Sequence, residues 1–131
     1  MRVRCVTEEP SHAQVVALGR LYAGPKQSFG VARGMEYLVF ALSVLDGVTY
    51  VDVEQEFEQV VAVPLFLFEI IDPRLSSIWE VKQRADGSLL LWPPVFHARQ
   101  SYAEDILDGD PTALIEFRDL RHRLENSNGD A

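Results

Sequence analysis

The chain has 131 residues, 47% apolar and 24% charged, which is enough for one domain to bury a core without disulfides or a metal. Twenty carboxylates against twelve lysines and arginines leave a net charge of −8. Such a field disfavours phosphate backbones and anionic lipid as partners and draws in cationic ones.

Met1–Val6 alternates, with Val3 and Cys5 on one face and Arg2 and Arg4 on the other, the signature of a strand. Cys5 is the only cysteine, which rules out an internal disulfide and fits a reducing cytoplasm. The opening MRVRCVTEEP has no signal-peptide core, because acidic residues follow a very short apolar run. Ser11-His12-Ala13-Gln14 forms a capping box, and Val15, Leu18 and Tyr22, with Leu21 beside them, repeat at helical spacing until Gly24-Pro25. A helix from about Ser11 to Ala23 is expected.

The middle of the chain reads as strands. Tyr37–Leu45 is apolar on both faces, as a strand covered from two sides would be. Asp46-Gly47 marks a two-residue hairpin into Val48–Glu54, where Val51 and Val53 oppose Tyr50, Asp52 and Glu54. Gln55–Glu58 is a polar turn, Gln59–Val63 a strand running up to Pro64, and Leu65–Ile71 a further strand or bend ended by Asp72-Pro73. The apolar-rich Val60–Ile71 stretch contains Pro64 and Glu69 and is too short to cross a bilayer as a helix. A soluble, cytoplasmic protein without a membrane partner is expected. Ile78–Arg84 and Ser88–Trp92 form a second hairpin across Ala85-Asp86-Gly87, after which Pro93-Pro94 removes two backbone donors. Val95 and Phe96 are expected to pack on the core, leaving His97, Arg99 and Gln100 on an exposed connection.

The end of the chain is helical. Ser101–Glu104 is a second capping box that opens a short helix closed by Gly109. Asp110 then caps a helix with Pro111 in its first position and Ala113, Phe117, Leu120 and Leu124 along one stripe. Arg118, Arg121 and Arg123 complement the C-terminal end of that helix, and residues 126–131 form a frayed tail. One α+β domain over 1–131 is expected, built on a strongly bent antiparallel β-sheet or small barrel with an N-terminal helix and C-terminal helices.

No catalytic pattern emerges. His12, His97 and His122 are scattered, and neither Cys-x-x-Cys nor His-Glu-x-x-His is present, so no metal and no cofactor is assigned. Cys5, beside Val3 on a strand, is expected to be a buried inert thiol. The segment GPKQSFGVARG sets Lys26 and Arg33 among glycines without matching a phosphate-binding motif, and Gly-x-Ser-x-Gly is absent. An enzyme would have to rely on scattered residues, of which His97 and Arg99 are the best candidates.

Two acidic clusters do have a geometry. Asp52, Glu54, Glu56 and Glu58 line a strand end and turn around Phe57; Glu104, Asp105, Asp108 and Asp110 surround the short helix. Glu104 and Asp108 share one helical face, where like charges disfavour the isolated helix. Each cluster reads either as a solvated acidic face, the helix dipole accounting for Glu104 and Asp105 but not Asp108, or as a binding surface. On the second reading the partner-binding candidates are Asp52, Glu54, Glu56, Phe57, Glu58, Glu104, Asp105 and Asp108, with Trp92 and Tyr102 as aromatic anchors.

Gly34-Met35-Glu36-Tyr37-Leu38-Val39-Phe40, followed by a hairpin and then Val63-Pro64-Leu65-Phe66-Leu67-Phe68-Glu69-Ile70-Ile71-Asp72, resembles small bacterial SH3-like β-barrel proteins. In those, Gly-x-x-Tyr-x-Val begins a barrel strand and Pro-x-x-Leu-Phe-Glu-Ile closes the unit. The resemblance covers the middle third of the chain. It implies an SH3-like barrel and a kinship with immunity proteins of polymorphic toxin systems, which bind and block a cognate toxin. No functional residue carries over, because such families place their toxin contacts on variable surfaces. The expected function is a non-enzymatic immunity-type protein that neutralises a cognate, basic toxin domain and binds no nucleic acid. The alternative is a small-molecule-binding or regulatory module whose bent sheet, with Trp79 and Trp92, lines a pocket.

Overall fold

The computed structural model describes residues 1–18, 29–55, 59–98 and 109–127. Within them the chain is mixed α+β, with an open sheet of seven strands whose ladders run antiparallel. The order is β1 (Arg2–Cys5), α1 (His12–Leu18), β2 (Glu36–Leu45), β3 (Val48–Glu54), β4 (Val60–Pro64), a 3-10 turn (Leu65–Leu67) and β5 (Phe68–Asp72). Then come β6 (Glu80–Gln83), β7 (Leu89–Trp92), α2 (Pro94–Ala98) and α3 (Pro111–Ser127).

The ten-residue β2 organises the sheet. One edge pairs with β3 from Val39 to Leu45; the other is shared, β1 taking Glu36–Leu38 and β7 taking Leu42–Val44. The main path is β4-β3-β2-β1-β5, with β6 attached through β7. A bulge at Phe40 breaks the β2–β3 register between Val39 and Ala41. The Phe40 carbonyl instead accepts the Trp79 indole N–H at 2.9 Å, which holds Trp79 against the sheet. Asp46 and Gly47, at φ 49° and 76°, give the two left-handed residues that a type I′ hairpin requires. In the second hairpin Gly87 sits at φ 90° and Asp86 accepts the Ser88 N–H, closing a three-residue loop.

The sheet is covered on both faces. Val3, Cys5, Val39, Val51, Val53, Val63 and Leu67 are essentially buried in one cluster. On the other side Leu38 and Phe40 meet the α3 stripe of Ala113, Phe117, Leu120 and Leu124, with Phe40 stacked on Phe117 at 5.1 Å. A smaller cluster joins Leu18 of α1 to Val48 and Tyr50.

Several expectations change. The Leu65–Ile71 stretch, expected as a strand or bend, is both: Leu65–Leu67 turns as a 3-10 segment, Leu67 buries, and the strand starts at Phe68. Pro93-Pro94 does not lead into an open connection, because Pro94 occupies the first position of a helical turn reaching Ala98. Helix α3 continues through Asn126 to Ser127, two residues that were expected to belong to a frayed tail; residues 128–131 lie outside the described residues. The Ser11–Gln14 capping box forms with both reciprocal bonds, at 2.7 and 3.3 Å. The C-terminal end expected for α1, and the short helix expected after Ser101, lie outside the described residues. Among the described residues no helix is long and apolar enough to cross a membrane.

Candidate partner-binding surface

Strand β3 supplies the first two candidates. Asp52 is flanked by alanines, Ala41 on β2 and Ala62 on β4, so neither neighbour offers a donor to its carboxylate. Among the described residues its carboxylate has no hydrogen bond or ion pair, and it is half-buried. Desolvation pushes its pKa from the ordinary 3.8 up to about 7. Asp52 is thus a carboxyl on the boundary of charging near neutral pH, and not part of a solvated acidic face. Two residues on, Glu54 receives Arg121 Nη1 at 3.0 and 2.9 Å. That contact ties β3 to α3 and assigns Arg121 to Glu54, where the sequence suggested only the helix end. Arg2, Glu36 and Glu125 join the pair around a polar cleft of about 200 Å³.

Glu56, Phe57 and Glu58 lie outside the described residues, as do Tyr102, Glu104, Asp105 and Asp108. The remaining member of the second cluster, Asp110, caps α3 by accepting the Thr112 and Ala113 N–H groups at 2.9 and 3.2 Å.

Trp92 is half-buried at the end of β7 and donates its indole N–H to Ser43 Oγ at 2.9 Å. His97 stacks against its ring at 5.1 Å, and the Arg84 guanidinium lies 5.6 Å from the ring centroid. His97 Nε2 is 3.1 Å from the Glu80 carbonyl, an acceptor only, so that nitrogen carries the proton. His97 Nδ1 is buried and makes no hydrogen bond. The histidine therefore pins α2 to the start of β6, a role that the spacing of the sequence does not reveal. Trp92 is committed to the same joint.

Two further clefts lined by described residues flank the sheet. One of about 510 Å³ is lined by Ala17, Gly47, Val48, Thr49, Leu65, Phe66, Phe68 and Ile70. Another of about 400 Å³ lies between the β7–α2 joint and α3, with Ile78, Pro93, Pro94, Val95 and Leu120 as its apolar wall and Glu116, Asp119 and Arg123 at its rim. Neither Trp79 nor Trp92 lines any of the three clefts. Cys5 is buried, its thiol donates to the Thr7 carbonyl, and burial pushes its pKa up, which suits an inert core residue. Among the described residues no three metal-ligating side chains converge. Comparison with protein-family models, curated proteins and solved structures returns no match.

Proposed function

We propose that this chain is a non-enzymatic immunity-type protein, built around an SH3-like unit, that binds and neutralises a basic bacterial toxin domain. The SH3-like half of the reading is supported by connectivity. β2, β3 and β4 form a meander, and a 3-10 turn carries the chain to β5, which returns to pair with β1. The two segments behind the resemblance meet edge to face, with the Tyr37 and Phe68 rings 6.0 Å apart.

The functional half is carried by charge. With a net −8, exposed acids such as Glu36, Asp119 and Glu125 have no ion pair among the described residues and remain available to a cationic partner. A binding protein of this kind gains association rate from its field and affinity from a few anchors. The test is co-expression with the toxic domain encoded by a neighbouring gene. Growth should be restored and a stoichiometric complex should co-purify; continued toxicity with the protein abundantly expressed would overturn the reading.

A second reading, a small-molecule-binding module, is favoured by the apolar cleft beside α1. A thermal-shift screen of metabolites separates the two, since saturable stabilisation by one compound belongs only to the second.

A further inference from the structure

We propose that the groove between the Pro93–Val95 joint and α3 seats a segment of a partner protein in which an apolar side chain is flanked by lysine or arginine. The inference rests on the immunity-type reading and names the partner chemistry at one site.

The groove owes its shape to rigid parts. Pro93 is fully buried at the end of β7, and Pro94 begins α2, so these two wall residues have fixed φ angles and no backbone N–H. Leu120, 4% exposed, belongs to the stripe packed on Phe40, and Ile78 and Val95 pack against the same cluster. The floor is consequently an outward extension of the core. A volume of about 400 Å³ suits one or two large apolar side chains.

The rim selects the charge. Along α3, Glu116, Asp119 and Arg123 lie on the flank just beyond the buried stripe, on the side away from Arg121 and its partner Glu54. Asp119 is exposed and has no ion pair among the described residues. Ile115 stands one turn before Asp119 and is 67% exposed, which places a large aliphatic side chain beside the acidic rim. Apolar floor, acidic edge and outlying isoleucine together complement an apolar anchor with cations beside it. Arg123 adds polarity along the groove, favouring an acid in the partner one turn past the cations. Among the described residues the larger groove beside α1 has no charged side chain in its lining, so nothing described there selects a partner by charge.

The test titrates the full-length ¹⁵N-labelled chain with three synthetic peptides: an amphipathic leucine–lysine peptide, its leucine–glutamate counterpart and a lysine–glycine peptide of equal charge. The leucine–lysine peptide should shift amides of Ile78, Val95, Glu116, Asp119 and Leu120. Asp119→Lys should weaken it about five- to tenfold, as expected for reversing one exposed charge. Ile115→Ser, also on the surface, should weaken it without altering the far-ultraviolet dichroism. Equal binding of the lysine–glycine peptide, or shifts centred on Ala17, Phe66 and Ile70, would overturn the proposal. Toxin co-expression then separates the two readings. Full rescue by an Asp119→Lys protein that has lost the peptide sinks the groove and leaves the immunity role standing. Correct peptide mapping without rescue by the wild type does the reverse.

Discussion

At the scale of single residues, Asp52 makes the sharpest commitment. Its pKa in the folded chain, about 7, lies above the ordinary 3.8, so between those values the native state holds a proton that the unfolded chain releases. Stability contributed by the neutral carboxyl is complete below about pH 4 and declines as pH rises to about 7. Each tenfold change corresponds to about 1.4 kcal/mol, which bounds the loss at roughly 4 kcal/mol. Asp52→Asn should therefore unfold at higher urea than the wild type at pH 8, with the gap narrowing to about 1 kcal/mol by pH 4.5. Parallel stabilities across that range would show that the carboxyl is solvated. Asp72 and Asp86 act in the opposite sense: Arg74 beside Asp72, and the Ser88 backbone N–H at Asp86, hold their pKa values below the usual range. Their contribution is present above the ordinary carboxylate pKa and fades at lower pH, so the two effects occupy different windows. Glu54 and Arg121 form a contact of another kind, half-buried and between distant elements. A double-mutant cycle with Glu54→Gln and Arg121→Met should give a coupling of about 1 kcal/mol. A coupling near zero in urea titrations would reduce the pair to a solvated contact.

At the scale of elements, α3 is where sequence and structure agree best, and the reason is physical. Its signals are local: an aspartate cap, a proline at the first position and an apolar stripe at spacings of four, three and four. Phe117→Ala should cost about 3–5 kcal/mol by opening a cavity beneath Phe40, and Asp110→Ala about 1 kcal/mol by freeing two N–H groups. Equal losses for the two in denaturant midpoints would contradict this division between core and cap. The Asp46-Gly47 and Ala85–Gly87 hairpins were legible for the same reason, since turn chemistry is written in adjacent residues. What escaped the sequence was nonlocal. Leu65–Leu67 reads equally as strand or bend, and the choice is made by the need to turn there to bring β5 back to β1. Pro94–Ala98 is too short for a periodic signal and depends on His97 reaching Glu80 across seventeen residues. Of the ten candidate contact residues, only Asp52, Glu54 and Trp92 lie among the described residues. Each is engaged or desolvated there in ways that alternation alone could not foretell, because Ala41, Arg121 and Ser43 come from other elements.

At the scale of the whole molecule, the governing property is a charge of −8 on a small domain. The resulting field reaches about 8 Å at physiological ionic strength and about 30 Å in 10 mM salt, so it acts chiefly on the approach of a partner. Apolar anchoring in the α3 groove acts after contact and is little affected by salt. The two contributions should therefore separate in kinetics. Raising salt from 50 to 500 mM should slow association with a basic toxin domain by about tenfold or more while changing dissociation much less. Asp119→Lys should behave differently, because it reverses a charge at the anchor itself: dissociation should speed up and part of the salt dependence should remain, carried by the other exposed acids. Surface-plasmon measurements of both rate constants at three salt concentrations test this directly. Salt dependence confined to dissociation would mean that the acids act only as contact residues, and that the net charge serves solubility rather than encounter.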